Sequence, residues 1–218
     1  MYPIPETLGD DWVRILAIDP GSSTLGVAIM DWRYGTELAR VRWAGTITIK
    51  NTAEVDTYEQ MRGKRDKRID LLKDEVATVL DVAFPNFVIT ETSFSQRSKA
   101  NAYESGLEVN CMLRQVLWDF SPAFKLHGIN PRSVKNYVGV SHVKTDKEDM
   151  KRAVISLYSE NTDVCLEQLD EHSIDAIAVG NFFVRFHLLS LNSLYVSPPK
   201  VKGQKTKRRR RGKRRKVV

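Results

Sequence analysis

The chain has 218 residues, 42% of them hydrophobic and 28% charged, with a formal net charge of +7. That length and balance fit one ordinary globular domain and exclude a disordered or collagen-like chain. No apolar run approaches the roughly 20 residues of a membrane-spanning helix, and the opening MYPIPETLGDDW lacks the basic and apolar segments of a signal peptide. Cys111 and Cys165 lack metal-ligand spacing and read as free thiols of a reducing, cytoplasmic setting. The charge is uneven. Residues 200–218 hold 12 of the 34 basic residues and no acid, so the rest of the chain carries 22 bases against 27 acids. Residues 1–12 read as a leader, 13–197 as one domain, and 198–218 as a disordered basic tail suited to a polyanion.

In chain order, RILAIDP (Arg14–Pro20) has the continuous apolar run of a strand covered on both faces. A Gly-Ser-Ser-Thr turn leads to a second strand, Gly26–Met30. Val41, Trp43 and Gly45 alternate with polar residues in a third, half-exposed strand that runs to Ile49. Residues 57–84 read as one long helix, with Leu72, Val76, Val79, Leu80 and Ala83 in a single stripe and Pro85 at its end. A short buried strand follows at Phe87–Glu91, then a helix over 98–120 and a strand over Ala123–Asn130. Pro131–Tyr137, Lys147–Tyr158 and Glu167–Leu188 complete the helices. The first three strands are contiguous, which predicts an antiparallel meander. The later strands arrive after helices, which predicts parallel addition. The result is an α/β fold, a mixed five-stranded sheet with helices on both faces. It resembles the ribonuclease H-like layout.

Four side chains are placed for chemistry. Asp19 ends the first strand and Glu91 the fourth, while His172 and Asp175 stand three residues apart on one face of the last helix. Two strand-end carboxylates side by side repel unless a cation neutralises them. A hard divalent ion suits oxygen ligands, and a pair of ions can stabilise both oxygens of a phosphoryl displacement. Each residue also has an ordinary reading: Asp19 as a turn residue, Glu91 as a solvated strand end, His172 and Asp175 as surface or cap residues.

The four motifs together carry a resemblance. AIDPGSSTLGVAI is similar to the first motif of the RuvC family of Holliday junction resolvases, with Asp19 as metal ligand. FVITETSF resembles the second, with Glu91 followed by the aromatic Phe94. NPRSVKNYVGV and DKEDMKRAV resemble the third region, with Lys135 and Lys147 on two functional lysines, and HSIDAIAVG resembles the fourth, with Asp175 as ligand. The resemblance implies a homodimer that cuts four-way (Holliday) DNA, and other branched DNA by extension, leaving 5′-phosphate and 3′-hydroxyl ends. It implies two Mg²⁺ ions per active site, with Mn²⁺ able to substitute, held by Asp19, Glu91, His172 and Asp175. Phe94 would stack on an opened base, and Lys135 and Lys147 would contact phosphates.

This chain departs from the pattern in three ways. His172 stands where many members have Asp, which removes a negative charge and favours Mn²⁺. The Lys135–Lys147 stretch is a residue longer, with Ser141 at a usual glycine, so Lys144 is an alternative to Lys147. The tail, with Arg208, Arg209, Arg210 and Arg211, has no counterpart. It reads as a DNA-tethering arm, a nuclear localisation signal or an RNA-binding appendage, and so leaves nuclear and mitochondrial locations open beside the cytoplasmic one. The basic run Arg62–Arg68 is either a DNA contact or a solvated helix face. A non-catalytic architectural junction binder is the rival function. An actin-like phosphotransferase is disfavoured by the lack of any Gly-Gly pair.

Overall fold

The structure, a computed structural model, describes residues 8–49, 57–93, 100–138 and 147–190. Five strands form one sheet: β1 (Trp12–Pro20), β2 (Thr24–Arg33), β3 (Arg40–Thr48), β4 (Phe87–Glu91) and β5 (Leu126–Ile129). Their order is β3-β2-β1-β4-β5. β1 pairs antiparallel with β2, and β2 with β3, while β4 joins β1 and β5 joins β4 in parallel. The mixed sheet expected from the sequence is the one observed.

β1 is buried from both sides. Ile15 and Ala17 face one core with Met30, Ile89 and Phe183, whereas Leu16 and Ile18 face another with Leu72, Leu80 and Leu113. The second core lies under α2 (Lys64–Ala83) and α3 (Ala100–Phe120). The first is covered by α4 (Pro131–Tyr137), α5 (Lys147–Tyr158) and α6 (Glu171–Phe183). α6 lies close against the sheet because of a glycine: a Cβ on Gly180 would come within 2.4 Å of Met30 Sδ. At the end of β1 and β2 away from Asp19, buried Asp31 is held by Arg14 at 2.8 Å and by Arg42, also at 2.8 Å; Arg42 reaches on to Asp163.

Two expected helices are each divided. The helix read over 57–84 is α1 (Thr57–Arg62) followed by α2, separated at Gly63 with φ of +88°. That backbone region suits glycine and not a helix interior. The basic run straddles this break, and part of its charge is met within the chain: Arg65 pairs with Glu108 at 2.6 Å, and Lys64 and Lys67 with Glu59 at 3.6 and 3.4 Å. The helix read over 167–188 is a 3₁₀ turn (Leu166–Gln168), then α6, then a π-helical turn (Val184–Leu188). Asp170 starts α6 afresh by accepting the Ser173 backbone N–H at 2.9 Å. The helix expected from 98 is described from Ala100, and the strand expected over 123–130 is confined to Leu126–Ile129. Among the described residues, no helix is long and apolar enough to cross a membrane.

Candidate active site

β1 and β4 bring two acids to the same sheet edge. Their parallel register pairs Ile18 with Thr90. Asp19 and Glu91 stand one residue further on. Side chains alternate along a strand, and Ile18 faces α2 and α3, so Asp19 and Glu91 face α6. The first turns of α6 lie over that edge. His172 Nδ1 is 2.9 Å from Asp19 Oδ2. Asp175 follows one turn later, and Lys135 comes from α4, whose start is set by Asn130 capping the Arg132 N–H.

The acids feel one another. Burial pushes the Glu91 carboxyl up to about 8, helped by the charges of Asp19 and Asp175. Burial and then Asp19 raise Asp175 to about 6. Asp19 is also raised by burial, against the opposing hydrogen bond and charge of His172. The Lys135 ammonium lowers all three. This is a cluster of partly desolvated carboxylates short of positive charge. The donor set fits a hard divalent cation in kind: three carboxylates and one imidazole. Among the described residues no three such groups are grouped closely enough to hold one ion as they stand. The arrangement is an open acidic cluster, not a closed coordination shell.

A cleft of about 560 Å³ opens beside it, lined by Lys135, Lys151, His172 and Asp175 among others. Asp19 and Glu91 are not in its walls. Of the other sequence-derived candidates, Lys147 opens α5 but its side chain is not described, and Phe94, Lys144 and Arg208–Arg211 lie outside the described residues.

No protein-family model and no curated protein matches the sequence. Solved structures do. Thermus thermophilus RuvC in complex with a Holliday junction substrate is similar with a TM-score of 0.59 at 17% identity, over 82% of this chain and 96% of that one. The T. thermophilus RuvC structure gives 0.56 at 18%, over 81% and 96%. The yeast mitochondrial Holliday junction resolvase Ydc2 gives 0.54 at 14%, over 84% and 85%. The fold is RuvC-like.

Within this RuvC-like fold, a cross-strand row sets the position of α6. Thr46 on β3 pairs with Gly26 on β2, and Gly26 with Asp19 on β1. Each meets the helix start. Thr46 Oγ1 donates to Asp170 Oδ1 at 2.6 Å and lies 3.0 Å from Ser173 Oγ. A Cβ on Gly26 would fall 2.0 Å from the His172 carbonyl oxygen, so only glycine lets the helix come this near. Asp19 then takes the imidazole. From the other side, Lys151 Nζ donates to the carbonyls of Glu167 and Leu169 at 2.8 and 2.9 Å, fixing the turn before Asp170. Sequence reading missed Thr46, Ser173, Asp170 and Lys151. Asp170 alone had a readable signal, an Asp at the N-cap position ahead of an apolar helix.

Proposed function

We propose that this chain is a divalent-metal-dependent endodeoxyribonuclease that resolves four-way DNA junctions, acting as a homodimer and leaving 5′-phosphate and 3′-hydroxyl ends. The observation that carries this reading is the convergence of Asp19, Glu91 and Asp175, far apart in sequence, into one electrostatically coupled cluster beside Lys135. The similarity in fold to proteins whose structures are described as junction resolvases supports the substrate class.

The residues divide the work. Asp19, Glu91, Asp175 and His172 would hold Mg²⁺ or Mn²⁺, two ions per site. A divalent ion held there would supply charge neutralisation at a phosphodiester and a more acidic water. His172 Nδ1 fixes one oxygen of Asp19, so the imidazole orients this carboxylate as well as serving as a donor. Lys135 brings an ammonium to the rim, where it can meet a phosphate oxygen without entering the acid cluster. Lys147, or Lys144 in its place, would contact backbone phosphates, and Arg208–Arg211 would add phosphate contacts from the tail.

The test is cleavage of matched four-way, three-way and linear DNA in Mg²⁺, Mn²⁺ or chelator. The four-way junction is expected to be cut in symmetric pairs only when metal is present, and Asp19→Asn to bind it without cutting. Tight binding with no cutting in either metal would make the chain an architectural junction binder. Undiminished cutting by Asp19→Asn would overturn the assignment of the site.

A further inference from the structure

The acidic cluster occupies one side of β4. The other side of the same strand end carries a second, smaller cleft. Alternation turns Glu91 toward α6 and its neighbours Thr90 and Thr92 toward α3. There a cavity of about 140 Å³ is walled by Thr92, Ser93, Leu107, Asn110, Arg114 and Leu126, among others, with no acid in its lining.

Asn110 is only 8% exposed. Its Nδ2 donates to the Gly106 carbonyl at 3.0 Å and to Ser93 Oγ at 3.1 Å. A carbonyl can only accept, so the orientation of the amide is fixed and both its N–H groups are used. The Asn110 Oδ1 acceptor is left without a protein partner among the described residues. Arg114 on the next helical turn is exposed, and its guanidinium has no hydrogen bond or ion pair among the described residues. The cleft therefore combines apolar Leu107 and Leu126 walls, one free acceptor and one free cationic donor.

We infer that this cleft seats a single unpaired nucleobase of the DNA strand that crosses Glu91. This rests on the junction-cutting reading and adds a recognition site to it. A flat ring with donors and acceptors on its edge matches such a lining. The leucines meet its faces, Asn110 Oδ1 takes a ring or amino N–H, and Arg114 donates to a ring nitrogen or carbonyl. A phosphate matches less well, because the unused Asn110 group is an acceptor and apolar side chains stand where donors would be needed. The volume holds one base and not a whole nucleotide. Thr90, Glu91 and Thr92 are consecutive, so a base held here sets the register of the strand at the acidic cluster. Asn110 and Arg114 are thereby specificity-determining residues.

Cys111 is exposed and lies in this lining, which supplies a probe that needs no cleavage. In a Cys165→Ser background, with chelator present, alkylation of Cys111 is timed with and without a four-way junction. The intact junction is expected to slow it about tenfold, and an abasic site at one crossover position to restore it. Arg114→Leu, an exposed position unpaired among the described residues, is expected to restore alkylation at junction concentrations that saturate binding. In metal, it should flatten the preference for the base at that position. Equal protection by intact and abasic junctions, or no protection of a chain that binds them, overturns the inference. A chain that protects Cys111 in a base-dependent way yet never cuts overturns the nuclease reading and keeps the pocket. A chain that cuts with Cys111 unprotected keeps the nuclease and removes the pocket. A chain that binds no junction removes both.

Discussion

Thr46 Oγ1 stands 2.6 Å from Asp170 Oδ1, joining the C-terminal part of β3 to the N-cap of the helix that carries His172 and Asp175. The same carboxylate accepts the Ser173 backbone N–H at 2.9 Å and its hydroxyl at 2.7 Å. One side chain thus starts α6 and anchors it to the sheet. Asp170→Ala removes both functions. It should cost about 1 kcal/mol in urea unfolding, and it should lower the rate of junction cleavage with little change in binding. Asp170→Asn keeps the cap and should retain most activity. Thr46→Val should lower the rate and Thr46→Ser restore it. If Thr46→Val cuts as fast as the parent, the β3 contact does not position the site.

The raised carboxyls make stability depend on pH in a stated direction. Glu91 titrates near 8 in the folded chain against 4.5 ordinarily, and Asp175 near 6 against 3.8. Well below pH 3.8 both are protonated folded and unfolded alike, so they contribute nothing. Between the ordinary and the raised values the unfolded chain loses protons that the folded chain keeps. Stability therefore falls as pH rises from about 4 to 8. Thermal unfolding at pH 5 and pH 8 should show this loss, and Glu91→Gln should reduce it. Mg²⁺ should raise Tm more at pH 8, where the cluster must ionise, than at pH 5. An equal rise at both pH values, or none, would count against a cation at these acids.

Much of this arrangement was legible in the sequence, for identifiable reasons. Ile15–Ile18 form an unbroken apolar run because β1 is covered by helices on both faces, and the acid after that run marks the strand's end. The stripe from Leu72 to Ala83 has helical period because α2 buries one side only. The helix breaks at Gly63 and Asp170 were missed because the apolar period on either side overrode single-residue signals of the sort that do end helices. The contact of Gly26 with the His172 carbonyl could not be read at all. It joins residues on different elements, and nothing local to Gly26 distinguishes a turn glycine from one that makes room for a helix.

His172 is bonded to Asp19 by Nδ1, and its Nε2 lies 3.9 Å from a Glu171 oxygen. An imidazole that orients a ligating carboxylate is worth about 10–100-fold in metal affinity or activity. His172→Ala should lose that much cleavage. His172→Asp puts a hard oxygen and a negative charge in its place, so the Mg²⁺ to Mn²⁺ rate ratio should rise. An unchanged ratio would remove His172 from the metal environment and leave it as a partner of Asp19 alone.

Away from the site, Asp31 is fully buried and receives Arg14 Nε and Arg42 Nε, each at 2.8 Å, while Arg14 also donates to the Ala83 carbonyl at 3.1 Å. Removing one partner of such a pair leaves a buried charge uncompensated. Asp31→Ala should destabilise the domain by about 3–5 kcal/mol, read as a lower urea midpoint. The double variant Arg14→Met, Asp31→Leu should recover part of that loss, since a buried pair contributes less than its breakage costs. A double variant as unstable as Asp31→Ala would locate the cost in Arg42, the third member of the network.

Residues 200–218 place 12 basic side chains, Arg208–Arg211 among them, on a chain whose remainder has more acids than bases. Each phosphate that a side chain neutralises on duplex DNA adds about −0.9 to the slope of log K against log salt. Ending the chain at Pro199 should weaken junction and linear duplex binding alike, flatten that slope, and leave the metal dependence of cutting intact. The affinity deficit should be largest at low salt and shrink as salt rises, because the lost contacts are the ones that made the full chain's slope steep. An unchanged slope would show that the tail touches no phosphate, and its arginines would then serve something other than DNA.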